Sequence, residues 1–122
     1  MRIPYEYAIV QAMPRVERGE LINVGVLLYC QRLDFLAAGI HLDADRLRAL
    51  APDADVPALR AALESWGATC AGAGASGAMK LGERFRWLVA PRSTVLRAGP
   101  VHMGLTVDPS AELDRLVQLL VR

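Results

Sequence analysis

Arginines and glutamates alternate in a short stretch beside a long apolar run. Arg15, Glu17, Arg18 and Glu20 lie within six positions, directly before an uncharged run that ends near residue 30. Such a run is typical of a strand buried on both faces, which would hold the charged stretch as a polar loop on a rigid element. Guanidinium groups bind phosphates and carboxylates through paired N–H bonds. The stretch therefore predicts an anion- or partner-binding loop; the alternative is that the glutamates neutralise the arginines in a solvated turn.

A second group of candidate ligand-binding residues, Arg92, Ser93 and Thr94, also follows a proline. The arginine adds another guanidinium group, and the two hydroxyls with neighbouring N–H groups can complete an anion nest. Arg15 follows the end of one predicted strand and Arg92 precedes another, so we expect both arginines at the same rim of a sheet. A different hypothesis makes Ser93 or Thr94 a phosphate acceptor, with Arg92 beside the modified hydroxyl.

Asn23 and His102 complete the candidate ligand-binding set. Asn23 lies at the mouth of the apolar strand, where an amide without partners costs roughly 1–3 kcal/mol, so it must bond either the loop backbone or a ligand. His102, like Glu17, can serve as a general acid or base. The residues beside His102 include no nucleophile, which favours a histidine that bonds a backbone carbonyl instead. No spacing of potential ligands matches a known metal site, and we predict neither a metal nor a cofactor.

Composition excludes several classes of function. The 122 residues carry 14 basic and 13 acidic side chains, a balance that offers no field to attract nucleic acid or an anionic membrane. No apolar run reaches the ~18 residues of a membrane span, and the N-terminal sequence is not that of a signal peptide. Cys30 and Cys70 show no spacing typical of a metal or redox site. We therefore expect a cytoplasmic protein with reduced thiols and with neither nucleic acid nor membrane as a partner.

The hydrophobic pattern predicts one α+β domain over residues 1–122, with a mainly antiparallel sheet of four or five strands and helices packed against it. β-branched and aromatic runs predict strands at residues 5–13, 23–30, 33–38, 94–97 and 101–107. The charged loop joins the first two strands as an antiparallel hairpin. Within the second strand, Gly25 indicates a bulge or the close approach of another group.

Capping residues and apolar spacing predict the helices at residues 44–50, 56–66, 83–89 and from 109 onward. Asp43 and Asp108 are the expected N-caps, and Gly67 occupies the position after the end of the second helix. The Gly- and Ala-rich stretch 68–78 has little to pack and predicts a flexible loop.

Three motifs carry a resemblance to a known family. Residues 14–26 read PRVERGELINVGV, residues 91–94 read PRST and residues 102–109 read HMGLTVDP. Together with the RFRWL run at 84–88, they resemble a bacterial domain-of-unknown-function family, family 3037, over nearly the whole chain. The resemblance implies no established activity. Members of that family are often encoded beside HipA-like kinases, so it implies a HipA-like kinase as partner.

Three hypotheses of function follow. The first is a binding or accessory module whose arginine-rich site receives a small anionic ligand or an acidic group of a partner such as the kinase. The second is a small hydrolase or transferase that uses His102 or Glu17 as acid or base, supported by the arginines. The third is a substrate that is phosphorylated at Ser93 or Thr94. The first hypothesis leads, because spacing identifies no pair of nucleophile and base.

Overall fold

The structure is a computed structural model that describes residues 1–92 and 94–122. That part of the chain forms five strands, four α-helices and two short 3-10 turns, at Val16–Arg18 and Gly74–Ala78. The strands are β1 (Ile3–Ala12), β2 (Ile22–Cys30), β3 (Phe35–Ile40), β4 (Leu96–Ala98) and β5 (His102–Thr106). The helices are α1 (Ala44–Leu50), α2 (Val56–Cys70), α3 (Leu81–Val89) and α4 (Pro109–Leu120). The predicted α+β fold class is confirmed.

One antiparallel sheet holds all five strands, in the order β3-β2-β1-β4 with β5 also beside β1. β2 pairs with one side of β1, while β4 and β5 lie end to end on the other side. Gly99 joins them, and its N–H donates to the Ile9 carbonyl at 2.8 Å. The fourth position of the sheet is thus a single strand interrupted around Gly99 and Pro100.

Each face of the sheet has its own apolar core. Helices α1, α2 and α3 cover one face, where Leu63, Phe85 and Leu88 pack against β1 and β2. Helix α4 covers the other face, where Leu116 and Val117 pack against a second set of strand residues. Because β1 and β2 lie in the middle and are covered on both faces, their sequences are apolar with little alternation.

The predicted hairpin between β1 and β2 is confirmed, as is the irregularity at Gly25. Val10 lies opposite Gly25 but Gln11 lies opposite Asn23, which leaves Val24 as one extra residue in β2. This is a β-bulge. A side chain at Gly25 would also meet the Gly39 carbonyl oxygen of β3 at 2.8 Å, so the close approach is present as well.

The predicted N-caps form as expected. Asp43 accepts bonds from the N–H groups of Asp45 and Arg46, and Asp108 does the same at the start of α4. Strand β3 begins two residues later than predicted, because the turn before it ends at Asp34, whose φ is +51°. Aspartate tolerates this left-handed conformation better than most residues. Strand β4 is likewise displaced toward Ala98.

The secondary structure differs most from the prediction at residues 68–78. Helix α2 does not end at Gly67 but continues to Cys70, and residues 74–78 form a 3-10 turn with Ser76 buried. Arg84 on α3 donates to the carbonyls of Cys70, Ser76 and Met79. A long-range side chain thus supplies hydrogen bonds that the local composition could not indicate; the flexibility of this stretch stays a prediction.

No helix in the part of the chain that the structure describes has the length and apolar character that a membrane crossing needs. Cys30 and Cys70 are both buried and form no disulfide. They pack in the two different cores, on opposite faces of the sheet. Burial raises the pKa of the Cys70 thiol to about 11, which keeps this side chain protonated and unreactive.

A polar cluster joins β1 to α4 at the edge of the second core. The Tyr5 hydroxyl donates to Glu112, and Arg115 donates to both Glu112 oxygens at 2.8 Å. The hydrogen bond from Arg115, followed by that from Tyr5, lowers the pKa of the Glu112 carboxyl from 4.5 to about 2. Burial, reinforced by Glu112, raises the pKa of Tyr5 to about 12.

This cluster predicts an acid-dependent loss of stability. Because the pKa of Glu112 is lower in the folded state, its stabilisation is complete above pH 4.5 and is lost as the pH falls toward 2. Glu112→Gln should therefore reduce the slope of unfolding free energy against pH in that window, by up to about one bound proton. Urea unfolding at a series of acidic pH values measures the slope. Arg115→Gln should reduce the slope too, and two variants with the wild-type slope would contradict the assignment.

Candidate functional site

The charged loop between β1 and β2 forms a tight turn in which each arginine has its own carboxylate. Arg15 Nε donates to Glu17 Oε1 at 2.8 Å, and Arg18 donates to Glu20. The pKa of Glu17 is lowered first by a hydrogen bond from the Glu17 backbone N–H and then by the one from Arg15. The hydrogen bond from Arg18 lowers the pKa of Glu20. Both carboxylates are ionised at neutral pH. This pairing favours the alternative of a solvated, self-neutralised turn.

Arg92 has a different environment. Its guanidinium carbon lies 4.9 Å from the centre of the Trp87 ring and 5.3 Å from that of Trp66. One nitrogen also donates to the Trp87 carbonyl at 2.5 Å. Among the described residues, Arg92 forms no ion pair with a carboxylate. Two aromatic rings thus orient a guanidinium group whose other N–H donors remain for a ligand.

An open groove of about 520 Å³ lies beside Arg92, between α2 and the segment that leads into β4. The Met13 N–H donates to the Val95 carbonyl at 2.7 Å, which brings the end of β1 to the same place. Two of its lining residues, Asp55 and Arg92, are charged. The uncharged lining residues are Pro14, Ala54, Ala58, Leu59, Ala62, Ser65, Trp66, Thr94, Val95 and Leu96. We call this the Arg92 groove.

Helix α2 gives the Arg92 groove its length. The α2 positions that line it follow a helical spacing from Asp55 to Trp66. With a rise of about 1.5 Å per residue, this face extends for roughly 16 Å. Asp55 lies at one end, where its carboxylate accepts the Ala58 N–H as the N-cap of α2. Arg92 and Trp66 lie toward the other end, so the groove is polarised along its length.

The structure brings together only part of the predicted site. Of the predicted residues, Arg92 and Thr94 line one groove, with Pro14 beside them, whereas the Arg15 side chain is bonded to Glu17. The Thr94 hydroxyl donates to the Leu96 carbonyl at 2.6 Å. Ser93 lies outside the described residues, so its place at the site stays a prediction.

Asn23 and His102 lie elsewhere. Asn23 donates to the Leu120 carbonyl at 3.1 Å and accepts from Gln11, so its amide links β1 and β2 to the end of α4. This is a structural partner of the kind that a strand-end amide requires. His102 is exposed on β5, with its ring 5.2 Å from that of Tyr7. Among the described residues, no three His, Cys, Asp or Glu side chains lie close enough to hold a metal ion together.

Trp66 and Trp87 are the site residues that sequence reasoning missed. Their apolar, helical positions indicate packing, and Trp66 is indeed buried. Trp87, however, is 53% exposed, and its ring contacts Arg92. The available signal was that both tryptophans of the chain lie on the two helices that precede the PRST motif, but this signal does not specify contact.

A second groove, of about 930 Å³, runs along α3 from Lys80 to Trp87. Arg86 donates to both oxygens of Glu6 there, at 2.8 and 2.9 Å. Arg32 and Lys80 also line it, beside Tyr29 and Met103. Its central arginine already has a carboxylate partner, so the Arg92 groove is the better candidate for an anionic group.

These features define a small α+β protein with an oriented arginine at one end of a mostly apolar groove. The model of a family described as a protein of unknown function (DUF3037) matches residues 7–121. The match covers nearly the whole chain, and the chain belongs to this family. Neither the curated proteins nor the solved structures gave a match to the chain.

Proposed function

We propose that this protein is a binding module whose Arg92 groove receives a segment of a partner protein that carries an acidic side chain among apolar ones. The observation that carries the proposal is the Arg92 guanidinium, stacked against Trp66 and Trp87 at the mouth of an apolar groove. A planar guanidinium fixed in this way loses little freedom on binding a carboxylate bidentately. The apolar lining supplies the buried area that affinity requires.

The dimensions of the groove favour a chain segment. A length of roughly 16 Å accommodates about five residues of an extended chain. The charges at its two ends favour one orientation, since an acidic side chain is attracted by Arg92 and repelled by Asp55. The HipA-like kinase implied by the family resemblance is a partner to test for such a segment.

The other two hypotheses receive less support. Glu17 is ionised and bonded to Arg15, and the His102 ring lies at a tilt beside Tyr7 at another part of the sheet. Neither candidate acid or base thus lines the Arg92 groove, where the oriented arginine lies. The Thr94 hydroxyl is exposed but donates to Leu96, and its neighbour Arg92 is engaged by two rings. The binding module therefore remains the leading function.

Binding to the Arg92 groove can be measured without a label. The chain has two tryptophans, and both contact Arg92, so their fluorescence should report an occupied groove. A library of short apolar peptides with one glutamate near an end should contain binders that lose roughly 10- to 100-fold in affinity when the glutamate becomes glutamine. Arg92→Ala should remove this preference, because the charge-assisted bonds are gone.

Two controls make the measurement specific. Arg92→Lys keeps the charge without the planar fork and should retain only part of the preference. Arg86→Ala removes an exposed arginine of the same helix whose side chain bonds Glu6 and does not line the Arg92 groove, so this variant should bind the peptides as the wild type does. The proposal fails if glutamate and glutamine peptides bind alike, or if Arg92→Ala keeps the preference for glutamate.

A further inference from the structure

Strand β5 presents an uncovered edge. It pairs with β1 on one side and, among the described residues, with no strand on the other. Met103 is 71% exposed and Leu105 55%, and Val101 and Val107 are exposed beside them. Native sheets commonly protect an edge with charged side chains, prolines or bulges, and residues 101–107 contain none of these. The edge is therefore open to pairing with another strand.

Pro4 shows which backbone groups of β5 point outward. Pro4 lies opposite Leu105, and a proline has no N–H, so these two residues cannot exchange the two bonds of a hydrogen-bonded pair. The antiparallel alternation then directs the bonds of His102, Gly104 and Thr106 toward β1. The N–H and C=O groups of Met103 and Leu105 therefore face away from the sheet, while Val101 and Val107 lie just beyond the two ends of the strand. All four residues have exposed apolar side chains.

The sequence of this edge is symmetric about Gly104. Two residues of similar apolar character flank it, Met103 and Leu105, and a valine lies three positions away on each side. If a second copy paired antiparallel about a two-fold axis at Gly104, Met103 would face Leu105 of the other copy and Val101 would face Val107. The pairs between Met103 and Leu105 are formed by the residues with outward N–H and C=O groups. One register thus satisfies the hydrogen bonds and the side chains together.

We propose that the outer edge of β5 is a homodimer interface, in which two copies pair antiparallel about Gly104 into one continuous sheet. The partner strand comes from a second copy of the chain, because a two-fold interface must be self-complementary and the pattern of this edge is symmetric about Gly104. An axis at Met103 or Leu105 would move Gly99 or the start of α4 into the pairing. The axis at Gly104 gives the longest overlap.

Gly104 also fits this arrangement on the α4 face of the sheet. A side chain there would meet the Tyr5 hydroxyl at 2.5 Å, so the fold itself requires glycine at this position. In the dimer the two glycines would face each other across the axis, where the strands approach most closely. The contact is short, so we expect an equilibrium between monomer and dimer that depends on concentration.

Sedimentation velocity of the full chain over a roughly hundredfold range of concentration measures this equilibrium. Met103→Lys and Leu105→Glu should each abolish the dimer, because a charge would face an apolar side chain of the other copy. The double variant should dimerise again, since each introduced lysine would lie opposite the introduced glutamate of the other copy. Both positions are exposed, so the variants should fold, which circular dichroism can verify.

Leu119→Lys is the matched control, because Leu119 is 65% exposed near the end of α4, a helix that packs against β2 and β3. This variant should dimerise as the wild type does. A wild-type chain that stays monomeric overturns the proposal, and so does a dimer that both single variants leave unchanged. Loss of the dimer in the single variants without recovery in the double variant contradicts the pairing about Gly104.

Discussion

Replacing Arg84 by alanine should lower the free energy of unfolding by about 2–4 kcal/mol, because three backbone carbonyls lose a charged donor. Arg84 Nε lies 2.8 Å from the carbonyl oxygen of Ser76 and 3.1 Å from the carbonyl oxygen of Met79. A terminal nitrogen of Arg84 lies 3.1 Å from the carbonyl oxygen of Cys70. Hydrogen bonds to charged groups contribute roughly 1.5–3 kcal/mol each. Water that reaches the three carbonyls in the variant replaces part of the lost bonding energy, so the expected loss is smaller than the sum of three such bonds.

The effect of Arg84→Ala should also be local. The chain wraps around the guanidinium at Gly72, whose φ is +88° and where a side chain would come within 3.0 Å of an Arg84 nitrogen. Without the guanidinium, residues 71–79 retain few contacts, and their amide hydrogens should exchange faster than in the wild type. Hydrogen exchange followed by mass spectrometry compares the two proteins directly.

Arg86→Ala provides the matched control on the same helix. Arg86 is more than half exposed and pairs with Glu6 on the surface, an interaction that typically contributes less than about 1 kcal/mol. Its loss should leave exchange at residues 71–79 unchanged. If Arg84→Ala and Arg86→Ala lower stability equally, or if exchange at 71–79 does not rise in Arg84→Ala, the assigned role of Arg84 is wrong.

Local signals in the sequence were sufficient to predict the framework of the fold. Asp43 and Asp108 are caps that act within three residues, and the β1–β2 hairpin follows from two apolar runs joined by one polar loop. Each of these elements is determined by neighbours in the chain. The α+β class could therefore be predicted together with most of the boundaries.

The Arg92 groove could be predicted only in part, because its members come from distant segments. Pro14, Trp66 and Arg92 lie on three separate stretches of chain. The motifs drew attention to Pro14 and Arg92, but local patterns do not reveal that two tryptophan rings orient the arginine. They also left open whether Glu17 bonds Arg15, as it does, or leaves it for a ligand.

Of two glycines with a predicted structural role, Gly25 has the expected role and Gly67 does not. Gly25 was expected to mark a bulge or a close approach, and both are present. Gly67 was expected to end a helix, yet α2 continues for three further residues. Glycine often occurs after a helix, but it is also tolerated inside one at a cost of about 0.5–1 kcal/mol relative to alanine. Only the surroundings of each glycine distinguish the two cases.

The same substitution at these two glycines should therefore have opposite effects. Gly25→Ala should lower the free energy of unfolding by roughly 1–3 kcal/mol, since the new methyl group would lie 2.8 Å from the Gly39 carbonyl oxygen and from Ile40 Cδ1. A backbone carbonyl in a paired strand cannot move without disturbing the ladder between β2 and β3. Gly67→Ala should raise the free energy by about 0.5–1 kcal/mol, because its side chain would meet nothing within 4 Å.

Urea unfolding of both variants under identical conditions measures the difference. The pair separates two causes, because alanine restricts the unfolded chain by a similar amount at either position. A difference of opposite sign must then arise in the folded state, at the bulge and at the helix. If Gly25→Ala proves as stable as the wild type, the bulged strand can accept a side chain, and the close approach of β3 does not explain the glycine. If Gly67→Ala is destabilising instead, then α2 does not continue as a helix through this position.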